Sequence, residues 1–86
     1  MSAFPSPGEA RILALLKTEA YGLELVRRAG GSLTRNAIYT QLSRLEEKGL
    51  IESRWEASPE RRPLVRVYRL TERGKRALRA CSVLGD

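Results

Sequence analysis

The chain has no histidine and a single cysteine, Cys81. The first absence removes every His-based triad, His-dependent general base and zinc-hydrolase site. The second removes Cys-rich metal sites and any internal disulfide, which fits a reducing cytoplasm. No glycine-rich phosphate loop of the P-loop or dinucleotide type occurs. The adjacent carboxylates Glu46 and Glu47 would point about 100° apart on a helix and make no catalytic pair. No catalytic residue, metal site or cofactor is therefore expected, and the chain does not read as an enzyme. No apolar run approaches the roughly 18–20 residues of a membrane span. Met1–Gly8 lacks the basic and apolar regions of a signal peptide. Aromatics are only 6% of the residues, too few to stud the strands of an RNA-recognition sheet.

What is present fits one small domain over residues 1–86, with 1–7 as a flexible lead-in. Apolar residues are 42% and charged residues 30%, a globular balance. The net charge is +6, and it is uneven. Residues 1–50 carry seven Lys/Arg against five Asp/Glu, while residues 51–86 carry nine against five. A basic surface attracts polyanions, chiefly nucleic acid or anionic membrane. Solubility alone is the competing explanation.

Periodicity predicts a first helix from Pro7 or Gly8 to Lys17, with Pro7 suited to the first turn. Ala10, Ile12, Leu13, Ala14, Leu15 and Leu16 make it apolar nearly all round, more than one core-facing stripe needs. Either neighbouring segments of the same chain cover both sides, or a partner covers one. A second helix is expected over Tyr21–Ala29, with Arg27 and Arg28 near the negative end of its dipole and Gly30–Gly31 as its stop. Ser32–Leu33 is expected to be briefly extended. Thr34 is a good N-cap for a third helix, 34–48, which Gly49 ends. Ile38, Leu42 and Leu45 form its buried stripe. Leu50–Glu56 alternates with period two, and Leu64–Leu70 is a second strand with apolar residues on both faces; the pattern does not assign its inward face, and Tyr68 and Leu70 are the choice at its base. The stretch 57–63 between them is a turn by its Ser, Pro and charges. Trp55 is expected to pack at the base of this hairpin. Thr71 caps a last helix within 71–84, whose stripe is Ala77, Leu78, Cys81 and Leu84.

A mainly α chain with a small β-hairpin, in the order α-α-α-β-β-α, reads as a winged helix-turn-helix. The third helix would then enter a DNA major groove, its basic and hydrogen-bonding residues first and its acidic pair last. Arg35, Asn36, Tyr39, Thr40, Ser43 and Arg44 are the candidates on it. Arg suits guanine and Asn suits adenine, whereas the Tyr39 hydroxyl suits a phosphate. Arg61 and Arg62 in the turn would meet the adjacent minor groove or its backbone. Arg44, Arg66 and Lys75 would add phosphate contacts, although salt bridges to Glu47 or Glu72 explain them nearly as well. A homodimer is expected through the first and last helices, by Ile12, Leu15, Leu16, Leu78, Cys81 and Leu84. Its two third helices would lie about one DNA turn, roughly 34 Å, apart. The other reading is a winged helix that binds a protein of a replication or transcription complex.

Three segments carry a resemblance: LLKTEAYGLEL at 15–25, IYTQLSRLEEKGLIE at 38–52 and RPLVRVYRLTERGKRAL at 62–78. Together they resemble the PadR family of bacterial transcriptional regulators, from about Ile12 to Leu78. The resemblance implies a cytoplasmic homodimer that binds a palindromic promoter site, usually as a repressor. By position, Tyr39 matches the family's recognition-helix tyrosine, and Arg62–Pro63 matches the basic turn of the wing. The chain reads as a short form, without the family's longer C-terminal region. Whether a small-molecule effector exists is not implied by any residue.

Overall fold

The computed structural model describes residues 5–57 and 64–85, with side chains as far as Cys81. Its elements are α1 (Pro7–Leu15), β1 (Ala20–Tyr21), α2 (Gly22–Ala29), α3 (Arg35–Glu47), β2 (Ile51–Glu56), β3 (Val65–Leu70) and α4 (Glu72–Gly85). This is the winged helix-turn-helix order, with one two-residue strand added ahead of α2. The sheet is antiparallel in the order β1-β3-β2. The hairpin register runs from Ile51 opposite Leu70 to Glu56 opposite Val65, and Ala20 pairs with Tyr68 on the other edge of β3.

The extended piece therefore lies at Ala20–Tyr21 and not at Ser32–Leu33. The second edge of β3 has backbone groups that need partners, and the chain leaving α1 supplies them. Ser32 instead closes the end of α2. Its N–H and its hydroxyl both donate to the Ala29 carbonyl, at 3.0 and 2.6 Å.

Helix α1 begins in a capping box that the sequence reading overlooked. The Ser6 hydroxyl accepts from Glu9 N, and Ser6 N donates to Glu9 Oε1 at 2.8 Å. Pro5 is buried and Pro7 opens the helix, so residues 5–7 belong to the fold and not to a flexible lead-in. Residues 1–4 lie outside the described residues. The helix stops at Leu15, short of Lys17, because Arg28 reaches across to take its end. The Arg28 guanidinium donates to the carbonyls of Leu15 and Thr18, each at 2.9 Å.

The core gathers Ile12, Leu13 and Leu16 of α1, Leu25 of α2, Ile38, Leu42 and Leu45 of α3, and Leu50, Ile51 and Tyr68 of the hairpin base. Ile38, Leu42 and Leu45 form the stripe that their spacing implies. At about 25 cal/mol per Å² of apolar area removed from water, each is worth roughly 2 kcal/mol or more. On β3 the residues chosen for the base are Tyr68, buried, and Leu70, half-buried. Val67 on the opposite face is buried as well, lying between Tyr21 and Arg54 in the register.

Two glycines fix where α3 hands over to the hairpin and where α4 returns. Gly49 takes φ +76, the left-handed turn that ends α3. Gly74 faces the turn so closely that a Cβ there would land on the carbonyl oxygen of Leu50. Thr71 completes the junction: its N–H donates to Leu50 O at 3.1 Å and its hydroxyl donates to Gly49 O at 2.7 Å.

Candidate nucleic-acid interface

Helix α3 is held from behind and left open in front. Ile38, Leu42 and Leu45 are 0–1% exposed. On the other side Arg35, Asn36, Tyr39, Thr40, Ser43 and Arg44 are all exposed. Thr34 caps the helix, its hydroxyl accepting from Ala37 N at 3.1 Å. Asn36 has no part in that cap and makes no side-chain hydrogen bond among the described residues. There is no acidic residue in that turn. The positive end of the helix dipole is thus unopposed where Arg35 and Asn36 project.

Tyr39 is 40% exposed and its ring reaches back over α2. A Cβ on Gly22 would collide with the Tyr39 hydroxyl, so Gly22 is what admits the ring. This places that hydroxyl at the start of α2. Tyr21, Gly22, Tyr39, Trp55, Leu64, Arg66 and Tyr68 line one open cleft between α2, α3 and the hairpin.

The hairpin arginines are more committed than the sequence implied. Arg66 bonds Glu46 of α3 at 3.2 Å and Ser53 of β2 at 2.9 Å. Arg54 is shared between Glu19, at 2.8 Å, and Glu56. Those carboxylates raise Arg54 above its ordinary pKa, and the hydrogen bond from Arg54 is the main cause that lowers Glu19. Arg69 pairs with Glu52. Lys75 lies 3.5 Å from Glu72. Arg61 and Arg62 lie outside the described residues.

Trp55 does not pack at the hairpin base. It is 63% exposed on the outer half of β2, with the Arg66 guanidinium 5.7 Å from its ring centre and equally far from that of Tyr68. Ile51, Leu70 and Tyr68 already fill the base, which leaves the larger ring outside.

The dimer candidates divide. Ile12 and Leu16 are 0% and 1% exposed inside the chain's own core, so they have no surface to give a second copy. The excess apolar character of α1 is absorbed by α2, α3 and α4 of the same chain. Leu15, Leu78 and Cys81 are half-buried, and the Leu84 side chain lies outside the described residues.

One buried charge was missed. Glu9 is 2% exposed and takes a 2.8 Å ion pair from Lys48, at the far end of α3. Burial alone would raise its pKa. The bonds from Lys48 and Ser6, with the Lys48 charge, outweigh that and lower it. The capping-box spacing Ser6–Glu9 was the available signal; the Lys48 partner, distant in sequence, had none.

Among the described residues no three His, Cys, Asp or Glu side chains cluster as metal ligands, and no helix is long and apolar enough to cross a membrane.

Comparison with known proteins agrees on one family. The model of the transcriptional regulator PadR-like family matches residues 12–80. The chain is similar to a PadR family transcription regulator from Clostridium difficile R20291. The TM-score is 0.80 at 25% identity, over 90% of this chain and 84% of that one. It is similar to an Eggerthella lenta PadR family regulator, with TM-score 0.76 and 29% identity over 88% and 69% of the two chains. It is also similar to Bacillus subtilis PadR, solved in complex with operator DNA, with TM-score 0.73 and 25% identity. That match covers 84% of this chain but only 44% of the Bacillus protein. A search of the curated proteins found no match.

Proposed function

The chain belongs to the PadR-like family of transcriptional regulators, and from that premise we propose that it binds double-stranded DNA sequence-specifically. Helix α3 lies in the major groove, and the wing at 57–63 lies on the adjacent minor groove or backbone. The observation that carries this is the front of α3. Six exposed residues, basic or hydrogen-bonding, begin at an unopposed helix N-terminus, while the acids Glu46 and Glu47 sit in the last turn. That polarity suits a helix whose first turns meet bases between phosphates. The operator complex of the Bacillus relative supports the same reading.

In this reading Arg35 and Asn36 touch base edges, and Thr40, Ser43 and Arg44 follow along the groove. The Tyr39 hydroxyl, at the start of α2, holds a phosphate. The protein acts as a homodimer on a palindromic site, as a repressor. With Ile12 and Leu16 spent inside the core, the dimer contact falls to α4 and the edge of α1, by Leu15, Leu78 and Cys81. The test is fluorescence anisotropy on duplexes that the protein selects from a randomised library, titrated at several salt concentrations. Affinity should fall steeply with salt and exceed that for an unrelated duplex by about 10³-fold or more. Binding that ignores salt removes the proposal.

The exposed Trp55 and Leu64 favour one rival, a protein partner seated on the wing. Such a partner would bind through apolar contact and with little salt dependence, so the same titration separates the two.

A further inference from the structure

We propose that Glu46, Ser53 and Arg66 form a positioning network that sets the wing against α3, so that Arg66 acts through Glu46 and not on DNA. The inference rests on the DNA-binding reading above.

The three side chains close a ring of bonds. The Ser53 hydroxyl donates to Glu46 Oε2 at 2.7 Å. Arg66 Nη2 lies 3.2 Å from Glu46 Oε1 and 3.4 Å from Oε2. Arg66 Nε donates to Ser53 Oγ at 2.9 Å. One member comes from each of α3, β2 and β3. The guanidinium is also held at 5.7 Å from both the Trp55 and the Tyr68 ring centres. The Nε–Nη2 edge is occupied, so a phosphate would have to displace Glu46 and Ser53 to take Arg66 by that edge.

The place of the ring in the hairpin gives it leverage. Below it, Ile51 and Tyr68 are buried in the core and fix the hairpin base. Above it, Trp55, Glu56 and Leu64 are exposed. Among the described residues, Ser53 makes the outermost hydrogen bond from β2 to α3. From Ser53 to Glu56 a strand advances about 10 Å, so a tilt of about 10° at Ser53 moves Glu56 by roughly 2 Å. Two contacts on neighbouring grooves must be held to about 0.5 Å to act together. Glu46 is thus an acid retained near a polyanion because it fixes the angle between the two reading elements.

Electrostatics makes the test decisive, because removing an acid beside DNA should by itself strengthen binding. The variants are Glu46→Gln, Ser53→Ala, Arg66→Met and the Glu46→Gln/Arg66→Met double. The probes are the duplex that wild type selects from a randomised library and an unrelated duplex of equal length. For Glu46→Gln and Arg66→Met, affinity for the selected duplex should fall roughly tenfold, and for Ser53→Ala roughly threefold. Affinity for the unrelated duplex should hold or rise with Glu46→Gln. Hydroxyl-radical protection should weaken at the wing and persist at α3. The double variant should be no worse than the worse single, as expected of parts of one unit.

Stronger binding by Glu46→Gln to both duplexes, with Arg66→Met lowering the salt slope by about one, would make Arg66 a phosphate contact and overturn the inference. So would a lower melting temperature with unchanged selectivity and footprint, which is what a merely structural network gives. If Glu46→Gln fails to fold, Ser53→Ala decides by the same selectivity and footprint. Wild type that binds no duplex defeats the proposed function and this inference together. Wild type that binds, with variants indistinguishable from it, defeats this inference alone.

Discussion

Gly74→Ala should destabilise the protein, although the same change in an ordinary helix interior stabilises by about 1 kcal/mol. Gly74 lies in the first turn of α4 with its N–H donating to the Thr71 hydroxyl at 3.1 Å, a bond that alanine would keep. Its new methyl, however, would land on the carbonyl oxygen of Leu50. That oxygen cannot swing aside, because it accepts from Thr71 N at 3.1 Å and the neighbouring Gly49 carbonyl accepts from the Thr71 hydroxyl. Relief requires α4 to back away from the end of α3. Overpacking against fixed backbone costs about 3 kcal/mol, and the gain in helix propensity offsets about 1, leaving a loss of about 2 kcal/mol. For a domain of this size that lowers Tm by roughly 8–16 °C. Gly8→Ala is the control. Its methyl would meet the end of the Gln41 side chain, which can rotate, so the change should be neutral or stabilising by up to about 1 kcal/mol. Urea denaturation of both variants, followed by circular dichroism, reads the pair. A Gly74→Ala protein as stable as wild type would refute the close approach of α4 to the α3–β2 turn.

Acid should remove the contribution of Glu9. Its folded pKa is lowered, so the stabilisation is complete above the ordinary carboxylate range and is lost as pH falls through the lowered value. Glu9→Gln should weaken the protein at neutral pH and flatten the acid limb of a Tm-against-pH curve; an unchanged limb would exclude the Lys48 pair as its source. Asn36→Ala should relax base preference by roughly 1–3 kcal/mol at one position per half-site, leaving Tm unchanged because Thr34 alone makes the cap. Selection from a randomised library shows the effect, and an unchanged preference would remove Asn36 from the bases. Tyr39→Phe keeps the ring over Gly22 and should weaken binding to selected and unrelated duplexes alike; an effect on one only would move its hydroxyl off the phosphates. Arg61→Ala with Arg62→Ala should lower the salt slope by about one to two, and equal slopes in a titration would take the wing off the DNA.

Everything that repeats along the chain with its own period was legible in the sequence. The spacing of Ile38, Leu42 and Leu45 fixed which side of α3 is buried, and so which side is free, because a helix has only one face to bury against one core. Thr34, Gly49 and Thr71 marked the boundaries, since each meets a local backbone need within a few residues. The alternation through Leu50–Glu56 identified the hairpin. Whatever depended on a partner distant in the chain was decided only by the tertiary structure. Ala20–Tyr21 became a strand because β3 offered it an edge. Ile12 and Leu16 became core instead of dimer surface because three other helices of the same chain cover α1. Trp55 was left outside because smaller residues had filled the hairpin base. Arg66 and Glu46, twenty residues apart, gave no sign in the sequence that they belong together. A local pattern is set by backbone geometry that every residue carries with it, whereas a charge finds its partner only after the packing of apolar faces has brought the two elements into reach.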